Sequence, residues 1–336
     1  MPKLLMPSVA VVGAGLAGLA CAEALQAAGC HVRLFDKGRG PGGRMSTRRV
    51  PWNGSDIAFD HGAQYMTARD PAFAAQLAAW HQAGIVAPWP AAGADAWVGT
   101  PAMNAPVATL ASQFAVAYTC RVKGLARGDH KWLLHGDGCT DEGFDQVVVA
   151  VPAEPAAGLL IDHHVAFAAE ARATSSQPCW TVMAAFDQPL PIAADRIQGS
   201  GAVLWAARNS AKPGRKGPEA WVIQASPAWS LAHLGADPDI IVESLLTGLA
   251  AMTGTDLPAP IISQAHSWLY ARSGASGRGC LWDRGLNLGV CGDWLLGPRV
   301  ECAWLSGRGL AAAMLGRPIV GEPRTGAGQD TLEPLA

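Results

Sequence analysis

No Cys-x-x-Cys pair occurs among the eight cysteines (Cys21, Cys30, Cys120, Cys139, Cys179, Cys280, Cys291 and Cys302). That absence argues against a dithiol redox centre and a zinc ribbon. Cys280, Cys291 and Cys302 recur every eleven residues but have no histidine pattern beside them, so no metal site is expected. Scattered thiols in an apolar chain read as reduced and buried, in keeping with a cytoplasmic setting. No run of about 18 apolar residues is present, so no membrane-spanning helix is expected. The opening MPKLLMPSVAVVGAG resembles a short signal sequence, but its apolar run reads as a strand and no small-residue cleavage site follows. Charge is scarce too: 15% of residues are charged and the formal net charge is -2, which gives no support for nucleic-acid or membrane-surface attraction. The six lysines stop at Lys216. Nine histidines are dispersed, the His163-His164 pair reads as surface, and no triad or paired carboxylates stand out.

What is present suits a compact enzyme. The 336 residues exceed one average core, so two lobes are expected. Half of the residues are apolar, and the 13 tryptophans read mainly as core, with a Trp-rich pocket for a flat aromatic ligand as the other use.

Ser8 to Val12 (SVAVV) reads as a strand buried on both faces. It runs into Gly13-Ala14-Gly15-Leu16-Ala17-Gly18, an Ala-rich helix to Ala28, and a second strand, His31 to Phe35, ending at Asp36. Gly13 permits the tight turn, Gly15 admits a pyrophosphate to the backbone, and Gly18 allows close helix–strand packing. The helix N-terminus offers free N–H groups to phosphates, and Asp36 stands where a carboxylate accepts ribose hydroxyls. Gly38-x-Gly40-x-x-Gly43 matches the same pattern, and Gly307-x-Gly309-x-x-Ala312 nearly does, but neither has a strand before and a helix after. Downstream, Lys37, Arg39, Gly42, Gly43, Arg44 and Met45 form a glycine-rich basic segment. After an acid-ended strand it resembles the flavin amine oxidase superfamily, which implies non-covalent FAD with this segment along the pyrophosphate and ribityl chain.

Near the other end, an apolar strand (Leu286 to Val290) leads into Cys291-Gly292-Asp293-Trp294 and a helix beginning near Arg299. In flavoproteins of this architecture the Asp accepts from a ribityl hydroxyl. The helix start, with Val300 and Ala303, faces the pyrimidine edge and favours negative charge there. Flavin attachment through Cys291 is not expected, because that residue falls at a strand end.

Between these ends stands Asp60-His61-Gly62-Ala63-Gln64-Tyr65-Met66-Thr67-Ala68-Arg69. With GGRMSTRR before it and CGDW…GPRVECAWLSG after it, the chain resembles the renalases, especially the bacterial ones. The resemblance extends to Trp97-Val98-Gly99-x-Pro101-x-Met103, Ala207-Arg208-Asn209-x-x-Lys212-Pro213 and His266-x-Trp268-Leu269-Tyr270-Ala271-Arg272. It implies a flavin oxidase that takes a hydride from 2- or 6-dihydro-NAD(P) and passes electrons to O2, giving NAD(P)+ and hydrogen peroxide. It also implies a two-lobed α/β fold of the p-hydroxybenzoate hydroxylase type, with a Rossmann-like FAD lobe and a mixed-sheet substrate lobe. His61 to Tyr65 and Val122 would touch FAD, and Asn209, Gln224, Trp268 and Tyr270 would face the flavin from the substrate lobe. Met66, Gln224 and Ser267 depart from the family pattern, where an aromatic residue, His and Arg are usual, which leaves the dihydro isomer open.

The FAD lobe is expected to comprise 7–70, 101–159 and 283–318, the substrate lobe 71–100 and 160–282, and 321–336 a disordered tail. Residues 209–219 (NSAKPGRKGPE) read as a basic polar loop. Rival readings are a conventional amine oxidase, for which no late lysine is available, a porphyrinogen or carotenoid desaturase, and a non-enzymatic FAD-binding redox sensor. A disulfide reductase conflicts with the missing Cys-x-x-Cys.

Overall fold

In a computed structural model, which describes residues 6–128, 130–140 and 142–318, two sheets carry the architecture. The tail from 321 lies outside the described residues. The first sheet has six strands in the order Leu281–Asp283, Leu288–Val290, Gln146–Val149, Ser8–Val12, His31–Phe35, Val116–Ala117. Neighbours are parallel except the antiparallel outer pair 281–283/288–290. Val9, Ala10, Val11, Val147, Val148 and Val149 are fully buried, covered on both faces as unbroken apolar parallel strands require. Val12 registers with both Phe35 and Val149. The chain therefore leaves three strands along one edge, at Gly13, Asp36 and Ala150.

Helix Leu16–Ala27 returns along this sheet and packs on helix Val300–Met314. Contact is so close that a Cβ at Gly307 would collide with the Ala17 carbonyl. Helix Pro71–Gln82 starts at Asp70, whose side chain accepts from Ala72 and Phe73 N–H groups. Its Phe73 meets Trp304, ring centroids 5.6 Å apart. Residues 71–100, assigned from sequence to the substrate lobe, thus bury Phe73, Leu77 and Trp80 in the same cluster as Val11, Leu19 and Leu310.

The second sheet has the order Arg196–Gln198, Val203–Arg208, Glu219–Ala225, Gln177–Phe186, Ile262–Arg272. Every pairing in it is antiparallel, which corrects the expected mixed sheet: successive strands 196–198, 203–208 and 219–225 reverse direction at each return, and 177–186 pairs antiparallel with both 219–225 and 262–272 through longer connections. Helix Pro238–Thr253, capped by Asp237 and ended by left-handed Gly254, covers one face through Ile241, Leu245 and Leu249. On another side, hairpin Arg48–Trp52/Ser55–Phe59 lays Ile57 and Phe59 against Met183, Ala185 and Val222. That packing sets Asp60 to Tyr65 between the two sheets. Trp132, Trp205, Trp221 and Trp294 are core. Among the described residues, no helix is long and apolar enough to cross a membrane.

Candidate active site

A cavity of about 840 Å³ opens at the carboxyl ends of the parallel strands and runs to the edge strand Ile262–Arg272 of the antiparallel sheet. Ligands enter open α/β sheets at this edge, because the strand-to-helix turns leave backbone groups free there. Gly13, Gly15, Leu16, Ala17, Asp36 and Lys37 line one end. Gly13 adopts φ +105°, and a Cβ there would strike the Ala150 carbonyl. Gly15 has ordinary angles (φ -76°, ψ 179°), but a Cβ on it would meet no protein atom within 4 Å. It would stand in the cavity. The helix that follows has neither a capping side chain nor an acid in its first turn, so its N–H groups remain available to an anion. This cradle fits a dinucleotide pyrophosphate. Asp36 accepts from Ala14 N (2.7 Å) and Gly38 N (2.6 Å) and retains lone pairs for hydroxyl donors. Ala14 and Gly18 lie behind the turn; a Cβ at Gly18 would collide with Gly13 O. Arg39, expected at the cofactor, is exposed and is not part of the cavity lining.

Gly42, Gly43, Arg44 and Met45 continue the wall, with Gly292, Asp293, Arg299, Val300 and Ala303 opposite and Val122 at the side. Arg44 grips Asp293 through both guanidinium arms, at 2.7 and 2.5 Å, and Ser273 Oγ donates to the same carboxylate at 2.9 Å. This two-bond geometry fixes the carboxylate plane. Gly292 N donates to Ser306 Oγ, so the turn is tied to the helix behind it. Cys291 is fully buried, and a hydrogen bond with the free thiol of Cys21, then burial, pushes its own thiol well above its ordinary value. It does not line the cavity.

The antiparallel sheet contributes its edge strand. Period-two alternation puts His266, Trp268 and Tyr270 on one face, and all three line the cavity with Ser267 and Leu269. Trp268 Nε1 donates to His61 O at 2.9 Å. The His61, His266 and Trp268 rings form a triangle with centroids 4.5–5.1 Å apart. Burial, then His266 and Arg48, lowers the His61 imidazole to about 3 against a smaller opposing pull from Asp60 and Ser46. Burial and Arg48 also lower His266. The His61 ring is therefore neutral at pH 7.

Asn209 and Gln224, expected to face the flavin, do not line the cavity. Asn209 Nδ2 donates to Ala58 O (2.7 Å), and its Oδ1 accepts from Asp60 N. Gln224 Nε2 donates to Gly62 O (2.8 Å). Both amides help hold the hairpin and its following loop against the sheet. Of the expected loop contacts, Ala63 lines the cavity while His61, Gly62, Gln64 and Tyr65 stand behind or beside it. Tyr65 packs on Trp205, with centroids 5.7 Å apart. A Cβ at Gly62 would collide with Arg44 O and come within 3.5 Å of the Trp268 ring.

Sequence reasoning missed the groups behind this loop. Lys212 and Arg215 were read only as parts of a basic polar loop, and their side chains are 0% and 2% exposed and both meet the fully buried Asp60. Arg215 Nε and Nη2 and Lys212 Nζ all reach Asp60 Oδ2, while Oδ1 accepts from Thr47 Oγ1 and Met103 N. A buried carboxylate in the Asp60 motif needing cations was the available signal. Among the described residues no cluster of His, Cys, Asp and Glu could hold a metal.

The comparisons with known proteins agree with this geometry. Residues 11–79 match an NAD(P)-binding Rossmann-like domain, and residues 91–315 match the flavin containing amine oxidoreductase family. Hydroxyneurosporene desaturase of Cereibacter sphaeroides is 54% identical over 45 residues, a match that takes in 13% of this chain and 9% of that protein. Two solved structures share the fold. One, assigned as a protoporphyrinogen oxidase from Exiguobacterium sp. 255-15, has TM-score 0.71 at 12% identity, covering 93% of this chain and 99% of its own. The other, wild-type putrescine oxidase bound to putrescine, has TM-score 0.68 at 14% identity, covering 93% and 100%. The family match takes in most of the chain and meets a cavity whose glycine cradle suits FAD, and the chain belongs to the flavin containing amine oxidoreductase family of FAD-dependent enzymes.

Proposed function

We propose that this enzyme is a renalase-type oxidase of 2- or 6-dihydro-NAD(P). Bound FAD would supply the acceptor for the substrate hydride and return the electrons to O2 as hydrogen peroxide. One observation carries the reading: the sheet facing the cavity offers rings and no carboxylate. The cavity carboxylates are Asp36 and Asp293, and both are engaged by the nucleotide-end backbone or by Arg44 and Ser273. His266, which burial and Arg48 hold below its ordinary value, is a weakened proton acceptor. A dihydropyridine needs none, since it becomes an aromatic cation by losing hydride, and the protein need only orient it and exclude water.

In this reading Gly13 to Ala17 and Asp36 hold the adenosine diphosphate half. Gly42 to Met45, Val122 and Asp293 hold the ribityl chain. The start of the helix after Arg299 faces the pyrimidine edge. Trp268 and Tyr270 flank the ring, while Asn209 and Gln224 position the loop. Ser267, where relatives carry Arg, leaves more room and less charge beside the substrate. The lobes divide as 7–70, 101–159 and 283–318 for FAD and mainly 160–282 for substrate.

Anaerobic mixing with the 2- and 6-dihydro isomers, NADH, putrescine and other amines tests this. Rapid loss of flavin absorbance with at least one dihydro isomer is expected. Fast bleaching by amines with none by the isomers would replace the reading with an amine oxidase.

A further inference from the structure

Asp60, Lys212 and Arg215 take no part in the reaction proposed above, yet burying three charges is costly. Their side chains are 0%, 0% and 2% exposed. Arg215 approaches Asp60 Oδ2 through both Nε and Nη2, so it can neutralise Asp60 alone. Lys212 is the surplus, and the cluster carries one net positive charge. The Lys212 ammonium lies 5.1 Å from the Trp89 ring centroid and donates to Gln64 Oε1 at 3.1 Å. An ammonium only donates, so Gln64 must turn its Oε1 to Lys212 and its Nε2 to the carbonyls of Asp60 and Gly62, at 2.6 and 3.0 Å. Gln224 donates to the same Gly62 carbonyl. The segment His61 to Ala63 is therefore gripped from behind. On its other side Ala63 lines the cavity, and Gly62 abuts Arg44 and Trp268.

We propose that Lys212 is a positioning residue whose surplus charge, sealed behind the His61 to Ala63 wall, raises the midpoint potential of the FAD in the cavity. The proposal rests on the reading above that the flavin ring lies against Trp268 and this wall. Charge sealed from water is weakly screened and favours negative charge that develops across the wall on reduction. Burial, with Arg215 beside it, brings Lys212 down to about 8 against the opposing pull of Asp60. Of the groups facing it, Asp60 and Gln64 from the loop, Arg215 from its own segment and Trp89 from the neighbouring turn, only Asp60 and Arg215 are charged. Above about pH 8 the cluster becomes neutral, and the potential should fall more steeply with pH there.

The test is a dye-equilibrated reductive titration of the full-length, FAD-loaded protein across pH 6–10, as wild type, K212M and K212Q. Both variants are expected to fold, because Asp60 keeps Arg215. Both should shift the reduction equilibrium at least about tenfold toward the oxidised form, about 30 mV for a two-electron couple, and lose the steepening near pH 8. Unchanged potentials in both overturn the proposal. So does a wild-type potential in K212Q alone, which would make the role one of hydrogen bonding rather than charge. If neither variant holds FAD, the wild-type profile decides: no steepening overturns it. Trp268→Leu separates the two readings. An altered flavin spectrum in that variant beside unchanged Lys212 variants fells only the charge proposal, whereas an unaltered spectrum fells the ring placement and the proposal together.

Discussion

Asp60→Ala is expected to lower folding stability by about 3–5 kcal/mol, the range found when one partner of a buried ion pair is removed. The carboxylate has Thr47 Oγ1, Met103 N, Lys212 and Arg215 as partners. Its loss leaves two buried cations facing each other without an anion. Burial by itself would raise the Asp60 carboxyl, but Arg215, Lys212 and the Met103 N–H outweigh it and hold it well below the usual carboxylate range. The sign of the linkage follows. A carboxyl depressed in the folded state contributes stability that is complete above its unfolded value, about 3.9. That stability is lost only as pH falls through the lower folded value. Wild-type protein should therefore keep this contribution at pH 5, and the gap between wild type and Asp60→Ala should close only in strong acid. Urea denaturation of both proteins at pH 7 measures the effect. A difference under about 1 kcal/mol, the scale of an exposed pair, would show that the cluster is solvated in solution.

Gly15→Ala should fold like the wild type and bind FAD more weakly. The Gly15 backbone lies in a region open to alanine, and no protein atom stands within 4 Å of the added carbon. The methyl group instead enters the space proposed for the pyrophosphate. FAD affinity should fall at least about tenfold, about 1.4 kcal/mol, with the urea midpoint of the apoprotein unmoved. Gly13→Ala separates the two effects, since its φ of +105° and its collision with Ala150 O strain the fold itself, by roughly 1–3 kcal/mol for the backbone angle. Flavin fluorescence titration of the two apoproteins, beside their denaturation curves, checks the pair. Full FAD affinity in Gly15→Ala would move the pyrophosphate elsewhere.

The residues that differ in outcome here differ in how their roles are written. Gly13 to Gly18, Asp36 and the Gly292-Asp293 turn act through the local backbone, at strand ends whose apolar runs are plain in the sequence. Trp268 and Tyr270 were marked only by the family resemblance, and the cavity takes Ser267 and Leu269 from the same strand as well, because that strand is the edge of its sheet. Asn209 and Gln224, expected to face the flavin, lie outside the cavity lining, and an amide on a substrate strand can serve a ligand or a neighbouring chain equally well. Their partners, Ala58, Asp60 and Gly62, lie about 150 residues earlier. Residues 209–219 looked polar for a similar reason: Lys212 and Arg215 are basic, and nothing nearby in the chain tells them from surface charge.

Local sequence alone determined the parallel sheet, its glycine turn and the carboxylate beside it, because strand burial and backbone angle depend on adjacent residues. Only the tertiary structure decided that Lys212 and Arg215 leave the surface for Asp60, that the second sheet is antiparallel, and which side chains reach the cavity. Each of these depends on long-range packing, in which the Arg48–Phe59 hairpin seats Asp60 between the sheets and brings distant charges within bonding distance.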